Sequence, residues 1–249
     1  MQKQQKGIAH SSQEGQRGLV AAVIVAAGSS RRMPGRDKLW TPLGGRVTLA
    51  HTVEVFQLSP LIDTIVIVTR QEHLSDVAAL RADECWDKVA AIVPGGIRRQ
   101  DSVRLGLDAL ATMIPGCAWV MIHDAARPFV TASLLERGLR AAQESQAAIA
   151  AVPVKDTIKQ VQNGVITTTL ERSRLWMIQT PQVFAFPLIY EAHQTPLAQE
   201  DVTDDATLLE ALGHHVTIFE GSYANIKITT QEDLLLAELL IQGDREKTV

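Results

Sequence analysis

Residues 19–27 are apolar at every position and stop at Gly28-Ser29-Ser30. An apolar run of this length without alternation predicts a strand buried on both faces, as in a parallel sheet. Leu49, Val53, Val55, Phe56 and Leu58 then give a roughly helical face, and residues 64–69 read as a second buried strand, completing one βαβ unit. A polar segment, 71–82, predicts a helix leading to a third strand at 88–93, which ends in Pro94-Gly95-Gly96. The next helix has Asp101 or Ser102 near its start and Val103, Leu107, Leu110 and Ile114 on one face. A fourth strand, 118–122, runs into His123-Asp124-Ala125-Ala126-Arg127-Pro128. Strands alternating with helices predict an α/β fold, a mostly parallel sheet covered by helices on both faces.

A helix at 133–143 and a strand at 147–152 continue the pattern, which then changes. Residues 156–162 and 165–170 alternate as strands around Asn163-Gly164, a tight-hairpin signal. A lone hairpin is marginally stable in water, so this protruding arm, about 154–171, is expected to pack on a partner subunit. Further along, 175–183 reads as a return to the sheet, 187–193 and 204–212 as helices, 216–220 and 225–228 as late strands, and 231–242 as a closing helix. Residues 1–18, rich in Gln, Ser and Gly, read as a flexible extension without the apolar core of a secretory signal, and 19–249 as a single domain.

Composition narrows the chemistry. A chain of 249 residues with 46% hydrophobic and 21% charged positions is globular, and no apolar run reaches the length of a membrane span. The net charge of -4 argues against bulk attraction to nucleic acid, so local positive charge has to be read as a site. Cys85 and Cys117 match no zinc or redox spacing, which suits a reducing compartment and a cytoplasmic location.

That local charge follows the first strand, where Arg31, Arg32, Arg36 and Lys38 come after Gly28. Backbone amides at such a turn form an anion-binding concavity, and the basic side chains supply the charge for a phosphate. Parallel sheets bind ligands at the carboxyl ends of their strands, and Gly28, Gly95-Gly96 and Asp124 all fall on that edge. The loop lacks the later glycines of the dinucleotide fingerprint, and neither a P-loop nor a GxSxG elbow occurs. What remains is a reaction whose nucleophile comes from the substrate. Phosphoryl and nucleotidyl transfer need alignment and fixed positive charge, which Arg32 and Lys38 can supply. Asp124 suits a hard cation such as Mg²⁺, the alternative being a loop or helix-capping aspartate. His123 should point away from Asp124 and pack. Lys227 falls opposite Ile226 and Ile228 in an alternating segment and reads either as a site lysine or as a solvated one. His214-His215 has no evident partners nearby, and Trp40, Trp86, Trp119 and Trp176 are too dispersed for a stacking platform.

The successive segments AAGSSRRM with DKL, GGIRRQDSV, HDAARP, PVKDTIK, TPQVF, VTDD and GSYANIKIT resemble the motifs of the 2-C-methyl-D-erythritol 4-phosphate cytidylyltransferase family over about residues 20–240. The resemblance implies a Rossmann-like nucleotidyltransferase fold and transfer of a cytidylyl group from CTP to methylerythritol phosphate in non-mevalonate isoprenoid synthesis, with Mg²⁺ as cofactor. It implies that Ala27, Gly28, Arg32 and Lys38 hold the triphosphate, with Arg32 and Lys38 stabilising the transition state. Gly96 and Ser102 would help enclose the cytidine, Asp124 would lie near the metal and the acceptor, and Lys227 near the reacting phosphates. The hairpin resembles the arm of a homodimer, with Thr157 and Arg172 reaching a neighbour's substrate site, and Thr203 would contact the acceptor. Ser30, Asp37, Leu39 and Ile97 depart from residues common in relatives. Two other readings stay open: transfer to another polyol phosphate such as ribitol 5-phosphate, and a noncatalytic nucleotide-binding protein.

Overall fold

The computed structural model describes residues 18–28 and 37–246. In chain order the elements are β1 (Leu19–Ala26), β2 (Pro42–Leu43), β3 (Arg46–Val47), α1 (Thr48–Leu58), β4 (Thr64–Thr69), α2 (Leu74–Asp83), β5 (Val89–Pro94), α3 (Arg99–Met113) and β6 (Cys117–Asp124). They continue with α4 (Ala132–Ser145), β7 (Ala147–Pro153), β8 (Lys159–Gln162), β9 (Val165–Thr169), β10 (Trp176–Ala185), α5 (Phe186–Gln194), α6 (Asp205–Ala211), β11 (Thr217–Glu220) and α7 (Gln231–Glu246).

Seven of these strands form one sheet in the order β11-β7-β10-β6-β1-β4-β5. Pairing is parallel throughout except around β10, which runs antiparallel to both β6 and β7. The apolar run of β1 is central because it fills both faces. Val20, Ala22 and Ile24 pack with Leu49, Val53 and Phe56 of α1 and Leu135 and Leu139 of α4, whereas Ala21, Val23 and Val25 pack with Val103, Leu107 and Leu110 of α3 and Ile189 of α5. Successive strand side chains point to opposite faces, so one uninterrupted apolar strand serves two helical layers. Each fully buried Leu, Ile or Phe in these layers contributes about 1.5–3 kcal/mol relative to exposure.

The parallel core was legible, with corrections at the ends of elements. Leu58 is 72% exposed, because it ends α1 two residues beyond Phe56 and so turns off the buried face. Helix α3 begins at Arg99 with Asp101 and Ser102 in its first turn, as expected; Asp101 is its third residue and accepts from the Arg98 backbone N–H at 3.0 Å, and Ile114 lies just past the helix end. Segment 225–228 is not a strand. Its hydrogen bonds form no strand ladder: the Ile228 N–H donates to the Ala126 carbonyl at 2.8 Å, Arg127 donates to the Asn225 carbonyl at 2.8 Å, and Asn225 Nδ2 donates to the Thr180 carbonyl at 2.8 Å. The alternation nevertheless holds, with Ile228 buried against Leu43, Leu234 and Ala237 and Lys227 facing the opposite way.

The predicted hairpin is present as β8 and β9, closed by Asn163 and Gly164 in the left-handed region at φ 52 and 79°. Every residue of both strands is exposed. Among the described residues no helix is long and apolar enough to cross a membrane.

Candidate active site

Strand β1 pairs with β4 on one side and β6 on the other, so the chain changes direction across the sheet at β1. A crevice opens outside the strand carboxyl ends at such a switch point. Here it is a cleft of about 440 Å³, walled by Ala27 and Gly28 after β1, Lys38 and Leu39, the 96–99 turn after β5, Ser102, Asp124 at the end of β6, and Lys227. A second cleft of about 210 Å³ adjoins it, lined by Arg127, Thr180, Gln182, Thr203 and Asp204, and both include Arg99, Asp124 and Lys227.

Glycine lets the loops come together. A Cβ on Gly95 would stand 2.3 Å from the Ala27 Cβ, and one on Gly96 would stand 2.4 Å from the Asp101 Cβ. Ser102 Oγ accepts from the Gly96 N–H at 3.1 Å and donates to the Arg98 carbonyl at 3.2 Å, fixing the turn against the start of α3. The opposite wall is held by Gln100, whose amide donates to the Ala198 carbonyl at 2.9 Å and accepts from the Val202 N–H at 3.0 Å. That contact places Thr203 on the rim of the second cleft.

The charge centre between the clefts is Asp124. Its Oδ1 accepts from Arg99 Nε at 2.9 Å and its Oδ2 from Lys227 Nζ at 2.7 Å. Burial alone would push this carboxyl up; the positive charges of Arg99 and Lys227 outweigh burial and hold it well below the usual carboxylate range. Arg99 also donates through Nη1 to Asp205 Oδ2 at 2.7 Å, so one guanidinium joins the end of β6 to the first turn of α6. Burial opposes the charged form of Arg99, but Asp205 and Asp124 raise its pKa above the ordinary arginine value. Asp205, fully buried, is likewise held below its ordinary value by Arg99 against the effect of burial. Behind Asp124, Thr180 Oγ1 accepts from the Asp124 N–H at 3.1 Å and lies 3.0 Å from His123 Nδ1, while His123 Nε2 lies 3.1 Å from the Arg127 carbonyl. The carbonyl requires a proton on Nε2, so the neutral ring accepts from Thr180 at Nδ1. Burial lowers the His123 pKa to about 4.

Of the residues singled out in the sequence, Ala27, Gly28, Lys38, Gly96, Ser102, Asp124 and Lys227 line the larger cleft, and Thr203 joins Asp124 and Lys227 in the second. Thr157 and Arg172 are exposed by the arm, where Arg172 donates to the Lys155 carbonyl at 2.7 Å; this chain does not bring them to its own cleft. Arg32, with Arg31, Arg36 and Ser30, lies outside the described residues. Arg99, Arg127 and Asp205 carry no functional signal of their own in the sequence, although they fall within the segments GGIRRQDSV, HDAARP and VTDD. Two adjacent arginines, Arg98 and Arg99, offer no one-dimensional sign of which turns inward. His123 packs as expected, with its ring 5.1 Å from that of Phe56.

Among the described residues no group of three or more His, Cys, Asp or Glu side chains is arranged to hold an ion. Both Asp124 oxygens are engaged by Arg99 and Lys227, so a hard cation such as Mg²⁺ would bind here only by displacing one of them and with phosphate oxygens supplying its other ligands, not in a dedicated protein cage.

Comparison with known proteins agrees with this geometry over nearly the whole chain. The family model "IspD: 2-C-methyl-D-erythritol 4-phosphate cytidylyltransferase" matches residues 20–243. A Dehalococcoides mccartyi protein (strain CBDB1) of that name is 48% identical over 227 residues, covering 91% of this chain and 97% of its own. One from Alkaliphilus oremlandii is 45% identical over 232 residues, with coverage of 91% and 96%. The crystal structure of 4-diphosphocytidyl-2C-methyl-D-erythritol synthase from Anaerococcus prevotii superposes with a TM-score of 0.80 at 32% identity, covering 91% of this chain and 99% of that one. With fold, cleft and full-length similarity in agreement, this chain belongs to the 2-C-methyl-D-erythritol 4-phosphate cytidylyltransferase family.

Proposed function

We propose that this enzyme transfers the cytidylyl group of CTP to 2-C-methyl-D-erythritol 4-phosphate, giving 4-diphosphocytidyl-2-C-methyl-D-erythritol and pyrophosphate in non-mevalonate isoprenoid precursor synthesis. The observation that carries this reading is the pair of adjoining clefts with Arg99, Asp124 and Lys227 common to both. A two-substrate displacement needs two such sites meeting at one charged centre. A phosphate oxygen of the acceptor attacks the α-phosphorus of CTP, a new P–O bond forms, the bond to the β-phosphate oxygen breaks, and pyrophosphate leaves with its electron pair. The nucleophile is already anionic, so the protein's task is alignment and charge stabilisation.

In this reading Ala27, Gly28 and Lys38 hold the triphosphate, and Lys38 balances the charge that develops on the α-phosphoryl oxygens. Arg32 shares that task on the strength of its sequence motif. Gly96 and Ser102 shape the cytidine end, Lys227 lies beside the reacting phosphates, and Asp124 and Thr203 face the acceptor. Asp124 would also hold Mg²⁺, which when bound neutralises phosphate charge. Val161, Val165 and Ile166 on the arm are exposed, at 55, 66 and 59%. Their exposure supports a homodimer in which each arm, with Thr157 and Arg172, completes the acceptor cleft of the other protomer. Cys85 and Cys117 are both free, which supports a reducing, cytoplasmic setting.

The test is pyrophosphate release by the purified protein with Mg²⁺ and CTP, comparing methylerythritol phosphate with ribitol 5-phosphate. Release only with the former is expected. Release only with ribitol 5-phosphate would retain the chemistry and overturn the acceptor, and CTP binding without release in either case would overturn the enzymatic reading. Lys38→Ala should lower turnover by at least 100-fold with an unchanged circular-dichroism spectrum.

A further inference from the structure

Lys38 reaches the larger cleft from a short turn, and the residue before it is unusually well tied. Asp37 Oδ1 accepts from the Leu39 N–H at 3.0 Å, so the carboxyl caps the turn that carries Lys38. The Asp37 carbonyl accepts from the Trp40 and Thr41 N–H groups at 3.1 and 2.9 Å and from Thr41 Oγ1 at 2.9 Å. Its other carboxyl oxygen, Oδ2, is bound by the Arg70 guanidinium and lies 3.3 Å from His73 Nε2. Arg70 directly follows β4, and it also donates to His73 Nε2 at 2.7 Å. That contact assigns the His73 proton to Nδ1, where Asp76 Oδ2 accepts it at 2.8 Å. The Trp40 ring lies 5.5 Å from the His73 ring and covers the cluster. On the far side of the turn the Leu39 carbonyl accepts from the Leu49 N–H at 3.1 Å, and the Leu39 side chain is buried.

We infer that Asp37 is a positioning residue for Lys38: through Arg70 and the Leu39 amide it clamps the turn to the end of β4, and the clamp fixes where the Lys38 ammonium meets the triphosphate. The inference rests on the proposed role of Lys38. Two physical arguments carry it. A lysine side chain has four rotatable bonds, so its placement depends on where its backbone is held, and Asp37 ties that backbone to the rigid sheet. A carboxylate next to a lysine that binds phosphate would also repel the ligand, and pairing with Arg70 places a positive charge against it. The turn thereby keeps an acidic anchor without presenting an unmatched negative charge to CTP.

The experiment is a mutant cycle on pyrophosphate release, with D37A, D37N, R70M, K38M and the D37A/K38M pair, reading kcat and KM for CTP and for the acceptor. Displacement of a reacting group by about 1 Å costs up to about 100-fold, so D37A and D37N should lower kcat about 10- to 100-fold. KM for the acceptor should stay unchanged. R70M should raise KM for CTP more than D37N does, because it leaves the carboxylate unmatched. In the K38M background D37A should cause no further loss. The same cycle read as CTP affinity by calorimetry covers a K38M turnover below detection. Wild-type kcat in both Asp37 variants, with K38M impaired, would overturn the inference, as would an equal loss from D37A with and without Lys38. Full activity of K38M would instead overturn the underlying assignment of Lys38.

Discussion

Arg99 does at one position what several residues share elsewhere in the site. Its guanidinium meets Asp124 through Nε and Asp205 through Nη1, two carboxylates on different elements. The planar fork with donors on separate nitrogens makes this possible, and an ammonium could not reach both with the same geometry. Arg99→Met would leave Asp205 fully buried with His193 Nε2, at 3.3 Å, as its remaining basic neighbour. Breaking a buried pair from one side costs about 3–5 kcal/mol, so denaturant unfolding should show a loss of that order, and adding Asp205→Asn should recover part of it. Loss of less than about 1 kcal/mol would show that the bridge carries no net stability.

At the level of elements, the site depends on how closely α3 lies on the sheet. A Cβ on Gly106 would stand 2.6 Å from Val23 Cγ1 and 2.9 Å from Val68 Cγ2, so the helix approaches β1 and β4 at a position where a methyl has no room. Gly106→Ala should destabilise the fold by about 1–3 kcal/mol through overpacking, measured as a lower urea midpoint with an unchanged slope. The helix carries Arg99 and Ser102 at its first turn, so the same substitution should also lower turnover. The β8–β9 arm behaves differently, because its residues are exposed and contribute no core in this chain. Replacing residues 156–171 by a short loop should leave a folded monomer with at least 100-fold lower turnover. A fully active monomer would contradict the proposed sharing of the acceptor cleft.

For the whole molecule, the buried titratable groups set the response to pH. His123 has its pKa lowered from 6.5 to about 4 by burial, so below pH 6.5 the unfolded chain binds a proton that the folded one does not. Its contribution is complete above pH 6.5 and is lost as pH falls towards 4, an effect of about 3 kcal/mol. Asp124 and Asp205 act lower: both are depressed from 3.8, so their contribution is present above that value and is lost as pH falls below it. Urea unfolding without added divalent cation should show stability falling between pH 6.5 and 4, and a His123→Gln variant should flatten that slope. The sequence by itself determined the parallel core, because an apolar run with no polar alternation can be buried only between two helical layers. It also determined the hairpin, because Asn163-Gly164 adopts the left-handed turn that twisted strands need, and it placed Gly28, Gly96 and Asp124 on the carboxyl edge, because strand order fixes where strands end. Only the tertiary structure decided that Arg99 rather than Arg98 turns onto Asp124, that segment 225–228 forms no strand, and that Asp37 is paired with Arg70. Each of those outcomes depends on partners distant in the sequence, 25 residues for Arg99 with Asp124, 45 for Asn225 with Thr180 and 106 for Arg99 with Asp205, and local periodicity carries no information about such partners.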